Sequence, residues 1–359
     1  MIIVVGAGIA GLSVAYELAK AGADVTVLEA QKIASGASGV ATSYLEPRLG
    51  STPIRAVEWE GLKRWPELAD ELVQATGQNV GLKTDGQLRV ALPENEEKFL
   101  KDLEARDGQG WNLDRLTSEE ARKLEPAISP EISTAAFLPN VAWLNGADVC
   151  TALAKALENR GVKIRENCAV QSIANDHLVT GSGETVQFDK LILCNGMGAN
   201  VFVKDVGDVP VSRPVRGVNL IFDNENLSKP VRHLIKHHRG NMCPRATADG
   251  NFLIVGTTYE PGEISLEPDA TVVAKLLDNA APILPQLRDF PLVKVTAGLR
   301  TKVGDGNLRL GRSKENRNVY FSLSHAGAGF LRAPVVAPEF AKFILEGTRG
   351  ALTGFLTTD

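Results

Sequence analysis

The chain has 359 residues, 44% of them hydrophobic, and a formal net charge of −4 from 39 basic and 43 acidic residues. That length can bury a substantial core in two or three domains. The near-balanced, scattered charge leaves no basic footprint, so a dedicated nucleic-acid or anionic-membrane binder is disfavoured.

Ile2-Ile3-Val4-Val5 is continuous and β-branched, which predicts a strand buried on both faces. Gly6-Ala7-Gly8-Ile9-Ala10-Gly11 follows, then a helical stretch to about Lys20, a stop at Gly22 and a second strand over 24–29. In such a βαβ unit Gly6 permits the tight turn and Gly8 lets the backbone approach a pyrophosphate. Gly11 lets helix and strand pack closely, and the helix start at Ile9 and Ala10 offers free N–H groups and the positive end of a dipole. Glu29, followed by Ala30, ends the second strand where a carboxylate accepts hydrogen bonds from ribose hydroxyls and repels a 2′-phosphate. The unit reads as a dinucleotide site, and the fingerprint alone leaves FAD and NAD open.

A small polar stretch, 35–39, comes next, where a plain NAD enzyme would soon begin its third strand. Instead, apolar residues at helical spacing predict a helix over 53–77, and Thr117-Ser118-Glu119-Glu120 reads as a capping box ahead of a helix that Pro126 stops. A further helix is expected over 147–160, then strands near 162–164, 169–170 and 191–194. Strand character dominates 208–260, 269–277 is helical, and the last helix is expected to start near Pro334. The fold class is therefore α/β: a Rossmann-like nucleotide domain (1–45, 147–205 and 305–359) interleaved with a strand-rich, α+β substrate domain (46–146 and 206–304). The four cysteines, Cys150, Cys168, Cys194 and Cys243, are far apart with no CxxC pair, which argues against a metal or dithiol centre and for small buried hydrophobes. No apolar run reaches the roughly 18 residues of a membrane span and no signal peptide is recognisable, so the expectation is a soluble cytoplasmic protein.

GAGIAGLSVAYELAKAGADVTVLEA at the start, GASGVATSYLEP, PVRGVNL (214–220), VGTTYEPG (255–262), AGLRTKVGDGNLRLGRS (297–313) and SHAGAGFLRAP (324–334) carry a likeness over essentially the full length. On these motifs the chain resembles the D-amino-acid oxidase superfamily of FAD-dependent oxidoreductases, within it the glycine oxidase group. The resemblance implies non-covalent FAD. It assigns cofactor contacts to the fingerprint, to Gly36, Ala37 and Ser38, to Val170, and to Asn195 and Gly196. It adds Gly327, Ala328, Gly329, Phe330 and Leu331, where glycines before a helix bring N–H groups and a positive dipole end to the flavin.

The resemblance also assigns Arg300 to the substrate carboxylate, held by a bidentate charge-assisted pair, and places Tyr44 on the loop that approaches the flavin ring. His325 is expected to line the substrate pocket. Two departures stand out. Asn241 occupies a position where the group carries a carboxylate-holding tyrosine, with Tyr259 as a candidate to compensate, and Thr301 follows Arg300 where a proline is usual. His233, His237 and His238 read as a polar surface loop. The implied reaction is hydride transfer from the carbon bearing nitrogen to flavin N5, giving an imine and, with oxygen, hydrogen peroxide. A dehydrogenase with another acceptor, a tRNA-modifying FAD oxidase and a flavin-binding accessory protein without turnover share the motifs. The expected partners are a small amine, an electron acceptor and, left open, further copies of the chain.

Overall fold

Ile2-Ile3-Val4-Val5 forms a strand with all four residues buried. The structure is a computed structural model and describes residues 1–50, 52–354 and 357–358. In chain order its first half comprises β1 (Ile2–Val5), α1 (Ile9–Lys20), β2 (Val25–Leu28), α2 (Ala37–Val40), β3 (Tyr44–Leu45), α3 (Pro53–Thr76), β4 (Gln87–Ala91), α4 (Glu96–Arg106), β5 (Asp114–Thr117), α5 (Ser118–Leu124), β6 (Thr134–Leu138), β7 (Ala142–Trp143) and α6 (Gly146–Asn159). The second half comprises β8 (Lys163–Arg165), β9 (Val170–Ile173), β10 (His177–Thr180), β11 (Thr185–Gln187), β12 (Lys190–Leu193), α7 (Val203–Val206), β13 (Ser212–Asp223), β14 (Leu234–His237), β15 (Gly240–Thr247), β16 (Gly250–Gly256), β17 (Glu260–Pro261), α8 (Ala270–Ala280), β18 (Lys294–Val303), β19 (Arg309–Arg312), β20 (Val319–Leu323), α9 (Gly329–Glu346) and β21 (Thr357–Thr358).

Two large sheets organise these elements. The first runs β21-β19-β20-β12-β1-β2-β8, with β1 parallel to both β2 and β12. Its apolar strands are divided between two cores. Ile2 and Val4 face a core built with α1, α3, α6 and α9. Ile3 and Val5 face a second one with Phe188, Phe202 and the three-stranded sheet β11-β10-β9. This double coverage is why β1 reads as an unbroken apolar run.

The second sheet runs β17-β13-β16-β15-β14-β4-β6-β5, with β18 paired to β13 over 10 residue pairs from Ser212↔Val303 to Ile221↔Lys294. Here the pattern alternates. Val218, Leu220 and Phe222 face a core that includes Leu276 of α8, while Gly217 and Asn219 face the other way, into a cavity. The capping box is present: Glu120 N–H donates to Thr117 Oγ1, and Glu120 takes the Thr117 N–H in return.

Two expectations are corrected. The last helix starts at Gly329, not near Pro334, and carries Pro334 and Pro338 inside it. Pro334 has no N–H for the carbonyl of Phe330 one turn back. That carbonyl instead accepts from Trp65 Nε1, 2.8 Å away on α3. Gly61 makes the approach possible, since a Cβ there would overlap the Leu331 carbonyl. A neighbouring helix thus supplies the donor that proline lacks, and the helix continues.

Of the histidines expected on a surface loop, only His238 lies exposed, in the turn after β14. His237 is buried at the end of β14. His233 is held by the fully buried Glu125, which accepts its N–H at 2.9 Å and faces its Nδ1 at 3.2 Å. Leu234 and Ile235 pair with β4 and draw their polar neighbours into the sheet.

Candidate active site

A cavity of about 660 Å³ lies between the two large sheets. Its wall includes the fingerprint turn, 34–44, Asn195–Gly198, the Gly217/Asn219 face of β13, 297–301 of β18, and much of 322–331. Gly6, with φ +105, packs its turn against Asn195, whose Cα would stand 2.8 Å from a Cβ at that position. Gly11 does not line the cavity. A Cβ there would overlap the Gly6 carbonyl, so its place is the helix–strand contact that the sequence pattern assigns to it. Glu29 is oriented by two backbone donors, Ala7 N–H to Oε2 at 2.8 Å and Gln31 N–H to Oε1 at 2.9 Å. Ser38 Oγ accepts from Ile9 N–H at 3.0 Å, which places a hydroxyl at the N-terminus of α1.

Of the other residues expected at the cofactor, Gly8, Ile9, Ala10, Ala30, Gly36, Ala37, Val170, Asn195, Gly196, Gly327, Gly329, Phe330 and Leu331 line the cavity, and Ala328 does not. The fit to a dinucleotide rests on the glycine cradle at the start of α1, the inward Glu29 carboxylate, and two polar atoms at the wall. Asn195 Oδ1 and His325 Nδ1 are buried with no hydrogen-bond partner among the described residues. Such atoms are stabilised only when something in the cavity pairs with them.

Arg300 enters from β18. Nη1 donates to the Thr258 carbonyl at 3.1 Å and Nη2 to Thr257 Oγ1 at 2.9 Å. Burial lowers its pKa from the ordinary arginine value. No carboxylate among the described residues forms an ion pair with it, so a desolvated cation stands ready for an anion. Tyr44 lines the same cavity, held by its pairing with Trp143 and by Lys236 Nζ 5.1 Å from its ring centroid. Behind it the buried Glu46 meets Arg89, Arg106 and Lys236. Burial works to raise the Glu46 pKa, but the three cations outweigh it and hold the carboxylate at about 2.

His325 also lines the cavity, with Nε2 2.9 Å from Ser322 Oγ. Burial, reinforced by Arg332, pushes its pKa down to about 3, so the ring is neutral. The next arginine along, Arg332, is itself fully buried and bound to Glu58 Oε1 through Nε at 3.1 Å and Nη2 at 2.7 Å.

Two residues expected near the substrate are not brought there. Tyr259 is 59% exposed, with its hydroxyl accepting from Lys302 Nζ at 2.6 Å, outside the cavity wall. Asn241 is buried in β15, also outside the wall. Residues that sequence reading missed are Gly217, Asn219 and Thr257, all at the wall. The period-two Gly217/Asn219 alternation against Val218 and Leu220 was the available signal. Among the described residues no group of three or more His, Cys, Asp or Glu is placed to hold a metal, and no helix is long and apolar enough to cross a membrane.

Comparison with known proteins agrees with this geometry. The chain is 29% identical over 350 residues to the glycine oxidase of Bacillus licheniformis, covering 96% of this chain and 92% of that one. It is 28% identical over 341 residues to that of Geobacillus kaustophilus, covering 92% and 89%. The crystal structure of glycine oxidase from Bacillus cereus superposes with a TM-score of 0.89 at 24% identity, covering 99% of this chain and 97% of that one, and so shares its fold. The profile of the FAD dependent oxidoreductase family matches residues 1–342. Fold, glycine cradle and family profile agree, and the chain belongs to the FAD dependent oxidoreductase family, whose cofactor is FAD.

Proposed function

We propose that the protein oxidises a small primary or secondary amine that carries a carboxylate, in the manner of a glycine oxidase, with oxygen as electron acceptor. The observation that carries the reading is Arg300, a desolvated guanidinium at the cavity wall with no acid paired to it among the described residues. The group-specific likeness to glycine oxidases supports the same substrate class. The segments 1–45, 147–205 and 305–359 hold the non-covalent FAD, and 46–146 with 206–304 shape the substrate side. All strands of the first sheet fall in the former and those of the second in the latter.

The chemistry FAD supplies when bound is acceptance of a hydride at N5 from the carbon bearing nitrogen, leaving an imine that water hydrolyses. The chain's residues orient and bind. Arg300 holds the carboxylate, with Thr257 and the Thr258 carbonyl fixing its guanidinium. Tyr44 bounds the substrate from the opposite loop. The neutral His325 adds no charge to the site and offers one ring nitrogen as a hydrogen-bonding group. Glu29 and Ser38 stand at the nucleotide end, for ribose and pyrophosphate.

Anaerobic titration of the yellow protein with glycine, sarcosine, both alanine enantiomers and proline tests this directly. Bleaching of the flavin by at least one of them is expected, and Arg300→Ala raises the concentration required by about 10- to 100-fold, as loss of a charged hydrogen-bonding partner implies. An Arg300→Ala protein with wild-type efficiency on carboxylated amines overturns the assignment.

A further inference from the structure

The wall segment from the last residue of α2 to the start of β3 has four successive backbone carbonyls, and all four are taken by other parts of the chain. Asn219 Nδ2 donates to the Val40 carbonyl at 2.8 Å. Arg245 Nη2 donates to the carbonyls of Ala41 at 3.0 Å and Thr42 at 2.8 Å. Leu144 N–H donates to that of Ser43 at 3.2 Å. The first three bonds come from two side chains of the substrate-side sheet, Asn219 on β13 and Arg245 on β15. The sheet is shaped to make them: a Cβ at Gly256 would overlap Asn219 Oδ1, and one at Gly298 would overlap Val40 Cγ2. Burial lowers the Arg245 pKa from the ordinary arginine value, and no carboxylate among the described residues forms an ion pair with it. A half-buried arginine whose guanidinium is desolvated and spent on two carbonyls of one loop is a costly device if the loop's position is immaterial.

Asn219 shares a strand face with Gly217, and Arg300 lies across Gly217. Two residues along a strand is about 7 Å. One face of β13 therefore carries the bed of the carboxylate-binding arginine and, one repeat further, the donor that fixes the loop leading to Tyr44. We propose that Asn219 and Arg245 are positioning residues that set the distance between the substrate anchor and the wall segment 40–44, against which the flavin ring rests. This rests on the functional reading above for where the ring end of FAD lies. Arg245 lies outside the cavity wall, and the Asn219 amide, at the wall, is turned to Val40 and Thr42. Both residues act through the Val40–Thr42 backbone, and they fix its register because each bond goes to a specific carbonyl.

The test uses the FAD-loaded protein and the variants Asn219→Ala and Arg245→Met, with the milder Asn219→Ser and Arg245→Lys for the case in which the first pair does not fold. Three readouts are taken: amide hydrogen exchange, the visible absorption of the bound flavin, and steady-state turnover of glycine or sarcosine. Exchange across 41–45 is expected to quicken at least tenfold while β1 is unchanged, and the flavin bands are expected to shift. With a substrate, kcat is expected to fall about 10- to 100-fold at a KM within threefold of wild type, the signature of misplacement without loss of binding. Wild-type exchange across 41–45 together with an unshifted flavin spectrum overturns the proposal. If none of glycine, sarcosine, the two alanine enantiomers and proline bleaches the wild-type flavin, the functional reading fails by itself, and the exchange and spectral data still decide the positioning role.

Discussion

The guanidinium of Arg300 lies across Gly217, where an added Cβ would stand 2.5 Å from Nη2 and 2.7 Å from Cζ. Glycine at 217 is thus a condition for the anchor's position, and the pairing Val215↔Arg300 and Gly217↔Gly298 on adjacent strands keeps it so. Gly217→Ala is expected to displace the guanidinium and lower kcat/KM on a carboxylated amine about 10- to 100-fold, chiefly through KM. FAD content, read from absorbance, is expected to stay at wild-type level. An unchanged KM would refute the role given to this contact.

Trp65 and Pro334 form a pair that a double-mutant cycle can resolve. Trp65→Phe leaves the buried Phe330 carbonyl without a donor, because Pro334 has none to offer. A cost of about 1–3 kcal/mol is expected from denaturant melts. Pro334→Ala restores an N–H one turn along, so the Trp65→Phe penalty measured in that background is expected to shrink. Equal penalties in both backgrounds would show that the indole's packing, not its N–H, matters.

Acid stability follows from three buried groups. His237 is pushed down to about 4, by burial first and then by His238 and Arg239, and His325 to about 3. Below the ordinary histidine value of 6.5 the unfolded chain takes up protons that the folded one refuses, so stability falls as pH drops from 6.5 towards 4 and 3. Each histidine contributes a slope of up to about 1.4 kcal/mol per pH unit inside its window. Glu46, held at about 2, contributes stability that is present above the ordinary carboxylate value of 4.5 and lost between 4.5 and 2. Thermal melts from pH 7 to 4 are expected to show the decline, and His237→Gln to flatten part of it.

Much of the fold was legible in the sequence because it rests on local patterns. The all-apolar run at 2–5, the glycine spacing at 6–11 and the Thr117–Glu120 box each have a cause within a few residues. The start of the last helix was not legible, because the donor that lets it tolerate Pro334 comes from Trp65, far away in the chain. The burial of His237 was hidden for a similar reason, since it follows from the place of β14 between β4 and β15 in the sheet. At the cavity, residues tied to glycine turns could be read, whereas Asn219 and Arg245 look like ordinary strand residues until the loop carbonyls they serve are located. Tyr259 was a candidate to compensate for the tyrosine that Asn241 replaces, but its side chain lies out in solvent.

The thiols supply a simple check on the interior. Desolvation pushes Cys150, Cys194 and Cys243 up to about 12. At pH 8 they are protonated and enclosed, so a disulfide reagent is expected to leave them unmodified in the native protein and to label them once it is unfolded. Rapid native labelling is expected, if anywhere, at Cys194, which lines the cavity, and labelling at Cys150 or Cys243 would contradict their enclosure.

The first sheet places β12 between β1, made at the very start of the chain, and β20, which ends at Leu323. During synthesis β12 can pair with β1 long before β20 exists. For more than a hundred residues of elongation, one edge of this apolar parallel sheet presents an open row of N–H and C=O groups as the chain leaves the ribosome. The cavity wall contributed by 322–331 is also missing for that interval. A chain cut short before β20 is therefore expected to keep the glycine fingerprint yet to lack the 322–331 wall and leave an edge of the sheet open.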